Sequence, residues 1–98
     1  MNTGISLAWT TLRQMSNHPP TDPKGVAMKT MRLAGWQNFP QTGKAAMLWQ
    51  ALDAIANGSQ QHADSFKARF HCAYHLDVNC NAWLWIAAWA SQYPLNQY

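Results

Sequence analysis

His71 and His75 stand four residues apart. On a helix that spacing brings two imidazoles to one face, near enough to share a metal ion. Asp64 falls in the same narrow stripe two turns earlier, and Cys80 follows a few residues beyond. Together they would make a mixed Asp/His/Cys zinc site. Cys72 does not join it, because helix geometry turns it about 100° away from His71. The paired Cys-x-x-Cys and His-Glu-x-x-His forms are absent. The plain alternative is a pair of surface histidines and a thiol buried as a small hydrophobe. No metal or other cofactor is assigned, and Asp64, His71, His75 and Cys80 stay a candidate set.

Asp64 and His71 can also be read as an orienting acid and its base, with Cys72 or Cys80 as nucleophile. Nothing in the sequence supplies an oxyanion site, and no Gly-x-Ser-x-Gly occurs. Glutamate is absent, so Asp22, Asp53, Asp64 and Asp77 are the only acids. A paired-carboxylate site is poorly supplied, and the chain reads as a non-enzyme. Thr42-Gly43-Lys44 invites a phosphate-loop reading. It fails because Asn38 stands where the motif needs its first glycine and Ala45 where it needs Ser or Thr. Thr42 is better read as a helix cap. Asn57-Gly58-Ser59, a glycosylation pattern, is better read as a helix stop followed by the next cap.

That turn also joins two helices, which admits a helix-turn-helix. The second helix would present Gln60, Gln61, Lys67, Arg69 and His71, residue types that read bases and phosphates. Asp64 and Lys67 then fall where the motif needs apolar packing. The basic residues, Arg13, Lys24, Lys29, Arg32, Lys44, Lys67 and Arg69, are dispersed. The ordinary reading of such charges is a solvated surface.

The last helical segment is the least ordinary. Trp83, Ile86, Ala87 and Ala90 fall on one side, with Trp85 and Trp89 roughly opposite. A helix apolar all round must be covered all round. Either it is the central helix of the bundle or one face meets a partner. Tryptophan suits a partner surface because it buries a large area at little entropic cost.

Five helical segments must position these residues. Thr3 to Ser16 carries Ile5, Ala8, Trp9, Leu12 and Met15 at helical spacing and stops before His18-Pro19-Pro20. Asp22 caps a second helix with Pro23 in its first position, Val26, Ala27, Thr30, Leu33 and Ala34 on one side, and Gly35 as its stop. A third follows Thr42, with Ala45, Leu48, Trp49, Leu52, Ile55 and Ala56 in one stripe, and ends at Asn57-Gly58. Ser59 caps a fourth running to about Leu76, lined by Ala63, Phe66, Phe70, Ala73 and Tyr74. Asn79 or Asn81 caps the fifth, which ends before Pro94. No alternating β-type stretch occurs. The expected fold is all-α, a compact bundle of about five short helices, with residues 1–98 as one domain.

Bulk properties narrow the function classes. The hydrophobic fraction is 48%, too high for disorder, while only 11% of residues are charged. A net charge of +3 permits an acidic partner without demanding one, and excludes a mimic of nucleic acid. The longest apolar run, Ala82 to Ala90, is short of the roughly 20 residues a membrane span needs. No basic segment followed by an apolar stretch opens the sequence, so a cytoplasmic protein with reduced thiols is expected.

The reading that fits best is a small non-enzymatic module that binds a larger protein or complex and regulates or inhibits it. Small inhibitors encoded by phages and plasmids have this general look. Trp85 and Trp89, with Tyr93 and Tyr98 following, are the expected contact surface. A homodimer formed through the last helix would satisfy the same tryptophans. The competing expectation is a small DNA- or RNA-binding regulator using the third and fourth helices.

Overall fold

The computed structural model describes residues 3–70 and 81–93. Five α-helices follow one another: α1 Thr3–Asn17, α2 Pro23–Ala34, α3 Lys44–Asn57, α4 Gln60–Phe70 and α5 Ala82–Ser91. The protein is an all-α bundle. No strand occurs among the described residues, and no helix there is long and apolar enough to cross a membrane.

The helix ends follow local chemistry. Asp22 accepts a hydrogen bond from the Gly25 amide at 3.0 Å, satisfying one of the free donors at the start of α2, and Pro23 sits where no amide is needed. Gly35 closes α2 with φ 68° and Gly58 closes α3 with φ 63°, a left-handed conformation that costs glycine nothing. Ser59 caps α4, its hydroxyl accepting from the His62 amide at 3.2 Å.

Two ends depart from expectation. The N-cap of α3 is Gly43 and not Thr42, and no side chain bonds there. Asn81 occupies the N-cap of α5, but its side chain makes no capping bond either. Between α2 and α3 the chain forms a short 3-10 turn, Trp36–Asn38, which buries Phe39 beneath it. Hydrophobic periodicity does not reveal this turn, because three residues are shorter than one helical period.

α1, α3 and α5 pack on one another, and α3 touches every other helix. α2 lies against α1 and α3, and α4 against α3 and α5. α2 and α4 are therefore the outer helices. The core runs through Leu12 and Met15 of α1, Leu48, Leu52 and Ile55 of α3, and Ile86 of α5. α1 and α2 approach closely at Gly4, where a Cβ would stand 2.2 Å from the Ala34 carbonyl oxygen. In the same seam the Thr30 hydroxyl donates to the Val26 carbonyl at 2.8 Å and lies 3.4 Å from the Thr11 hydroxyl.

The α2 stripe differs from the expected one at a single large residue. Ala27 and Thr30 are buried and Ala34 partly so, but Leu33 is 68% exposed while Met31 turns inward. Among the described residues α2 leans mainly on α1 and α3, and its buried arc is too narrow to include Leu33.

Candidate functional site

Much of α5 is covered within its own chain, while Trp83, Leu84 and Trp89 stay partly exposed. Trp85 is 8% exposed and belongs to the core, meeting the ring of Phe66 edge-on at 6.5 Å between centroids. Trp89 is half-buried; it stacks on Phe70 at 5.8 Å and meets Phe66 edge-on at 4.9 Å. Such ring pairs add about 0.5–1.5 kcal/mol each beyond the area they bury. α4 thus supplies two phenylalanines that close over the side of α5 expected to face a partner. Tyr93 is half-buried beside Lys44, whose ammonium lies 6.0 Å from the ring centre. Its hydroxyl is buried and finds no hydrogen-bond partner among the described residues. Tyr98 lies outside the described residues.

The polar side of α4 is exposed to solvent at Gln60, Gln61, Asp64, Lys67 and Arg69. Gln60 donates to Asp64 at 2.8 Å, so the carboxylate expected in a metal set is engaged on its own helix. His71, His75 and Cys80 lie outside the described residues, as does Cys72. Among the described residues no three metal-ligating side chains come together. Lys67 and Arg69, expected to contact phosphate, lean on aromatic rings: Lys67 Nζ is 5.0 Å from the Trp85 ring and the Arg69 guanidinium 5.9 Å from that of Phe70. Gln61 is exposed.

Two clefts flank α4. The larger, about 240 Å³, opens where α2, α4 and α5 begin, between Lys24, Gly58, Ser59, Asn81 and Trp83. Lys24 is the one charged side chain in its wall, and the Ser59 hydroxyl there is occupied as a cap. The smaller, about 130 Å³, lies between α3 and α4 and brings Asp53, His62, Ser65 and Arg69 to one rim. Asp53 accepts from the Asn57 amide group at 3.2 Å, and His62 pairs with Ser59 through its Nδ1. Asp53 and His62 of that rim are each held by a residue three or four positions away in sequence.

The outer face of α2 is of a different kind. Lys24, Met28, Lys29, Arg32 and Leu33 are all exposed, Met28 by 49% and Leu33 by 68%. Helix geometry explains the grouping. The buried residues Ala27, Thr30 and Met31 define one side, and Met28, Lys29, Arg32 and Leu33 fall on the opposite one, while Lys24 borders the buried side and lays its stem against Gly58. Lys24, Met28 and Arg32 form one row at four-residue spacing, and Lys29 with Leu33 forms a second. Leu33 comes one turn after Thr30, which faces Thr11 of α1. Leu7, 36% exposed, comes one turn before Thr11. Both leucines therefore border the α1–α2 seam.

No acid lies within α2, and Asp22 is the only acid before Asp53. Asp22 already serves as the helix cap. The face is cationic and apolar together, while the outer face of α4 carries both charge signs and no large exposed aliphatic residue. The sequence gives one usable sign of this face: three basic residues and no acid in twelve positions, with Met28 outside the apolar stripe.

Comparison with protein-family models, with curated proteins and with solved structures finds no match for this chain.

Proposed function

We propose that the protein is a non-enzymatic module that docks on a larger protein through the outer face of α2 and regulates or inhibits it. The observation that carries this reading is the exposure of Met28 and Leu33 on either side of Lys29 and Arg32 on a helix that has no acid of its own. Single exposed apolar residues are ordinary. Two large ones flanking two cations make a surface with both apolar area to bury and charge to steer an encounter. The tryptophans of α5 then act as the rigid support of the bundle, and the contact surface moves to the opposite outer helix.

Site-specific photocrosslinking in the native host tests this. A photoreactive residue at Leu33 should yield a discrete protein adduct, and one at Gln61 on α4 should not. Adducts formed from Gln61 and absent from Leu33 would place the docking surface on α4. Adducts to nucleic acid from Gln61 would favour the regulator that uses α3 and α4.

A further inference from the structure

We infer that the surface received by α2 is an acidic amphipathic helix of the partner protein, laid along the cationic face with its carboxylates against Lys29 and Arg32 and its apolar side chains against Met28 and Leu33. The inference rests on the reading of α2 as the docking face and names the chemistry of what docks there.

The argument begins with spacing. Lys29 and Arg32 are three residues apart, about 4.5 Å along the helix axis, and Met28 and Leu33 flank them around the helix. A facing helix repeats side chains at the same pitch, so acids about one turn apart can match the two cations while aliphatic residues beside them meet Met28 and Leu33.

Charge complementarity selects the sign. Lys29 and Arg32 stand on a helix without an acid of its own, and Asp22 just before it is held in a cap. A partner bearing carboxylates supplies the missing charge; a basic or neutral one leaves it unpaired. The apolar pair selects the class. Duplex DNA offers phosphate to the cations but little for Leu33 to bury against. A bilayer would take Met28 and Leu33, but insertion wants the cations flanking an apolar face, whereas Lys29 and Arg32 stand between the two apolar residues around the helix. A face with charge between its apolar members fits a protein surface that alternates in the same way.

The probe is a stapled helical peptide with glutamates at three-residue spacing flanked by leucines. It is compared with versions carrying Gln or Lys at those positions, with duplex DNA and with anionic phosphatidylserine vesicles. Binding to the full chain is read by fluorescence anisotropy and mapped by backbone amide shifts. The Glu peptide should bind with shifts centred on α2, and the Gln peptide about tenfold more weakly. The variant combining Lys29→Glu and Arg32→Glu should lose the Glu peptide and gain the Lys peptide. Both positions are exposed, so circular dichroism should show the variant folded.

Equal binding of the Gln and Glu peptides on α2 would overturn the acidic partner while leaving α2 as the docking face. Tighter binding of DNA or vesicles than of the Glu peptide would overturn it in favour of those partners. No binding by any of the peptides would overturn it outright, and shifts centred away from α2 would sink the docking face as well.

Discussion

Lys67 of α4 holds its ammonium 5.0 Å from the centre of the Trp85 ring on α5. The ring is thereby roofed by an aliphatic stem and a cation on one side and flanked by Phe66 on another. A cation over an indole at an exposed site contributes about 0.5–1 kcal/mol. Burial of the indole itself contributes several times more. Trp85→Ala should therefore destabilise the fold by about 3–5 kcal/mol, and Lys67→Ala by no more than about 1 kcal/mol. Urea denaturation followed by circular dichroism separates the two. A Trp85→Ala protein as stable as the parent would remove Trp85 from the core and return it to the surface.

How far the fold is legible in the sequence depends on whether the signal is local. Asp22-Pro23, Gly35 and Asn57-Gly58 act through their own backbone, so the boundaries of α2 and the end of α3 can be read directly. The stripes of α1 and α3 can be read because each helix faces several neighbours and buries a wide arc. α5 is ambiguous for the opposite reason. A uniformly apolar helix carries no phase, and which tryptophan is inside depends on Phe66 and Phe70, side chains on another helix. Leu33 is misplaced by periodicity because it falls at the edge of the stripe, where the number of neighbouring helices decides. The site on α2 is legible only as composition until that exposure is known.

Gly4 tests how tightly α1 and α2 are drawn together. Any Cβ there would meet the Ala34 carbonyl oxygen at 2.2 Å and the Phe39 ring at 3.0 Å. The carbonyl belongs to backbone and cannot turn aside as a side chain could. Alanine normally favours a helix, so Gly4→Ala would stabilise an open α1. Here it should instead destabilise by about 1–3 kcal/mol through forced separation of the two helices. Amide hydrogen exchange should quicken along the α1–α2 seam, near Thr11 and Thr30. A Gly4→Ala protein with a raised melting temperature and unchanged exchange would show that the approach is not this close.

Two of the N-caps expected from sequence, Asp22 and Thr42, should respond differently to the same substitution. Asp22 accepts the Gly25 amide, so Asp22→Ala should lower stability by about 1 kcal/mol. Thr42 stands outside α3, whose cap is Gly43 without a side-chain bond. Thr42→Ala should fall within about 0.5 kcal/mol of the parent. Thermal unfolding of the two single variants checks the pair. A loss at Thr42→Ala equal to that at Asp22→Ala would restore Thr42 as the cap.

Leu33 and Met31 lie two residues apart on α2 but face different surroundings. Leu33 is 68% exposed, and Met31 is 8% exposed against the core. Met31→Ala should destabilise by about 2–5 kcal/mol, because its removal leaves a cavity that neighbours fill only in part. Leu33→Ser should stay within about 0.5 kcal/mol of the parent, since its side chain is already in water when the protein is alone. Guanidinium denaturation of the two variants measures both, and a marked loss on Leu33→Ser would mean that α1 and α2 bury Leu33 after all. With the expected result, Leu33→Ser preserves the bundle while stripping apolar area from the docking face. It should then lower affinity for the partner by about tenfold, through faster dissociation more than slower association. Surface plasmon resonance against the crosslinked partner resolves the two rates, and an unchanged dissociation rate would show that Leu33 is not part of the contact.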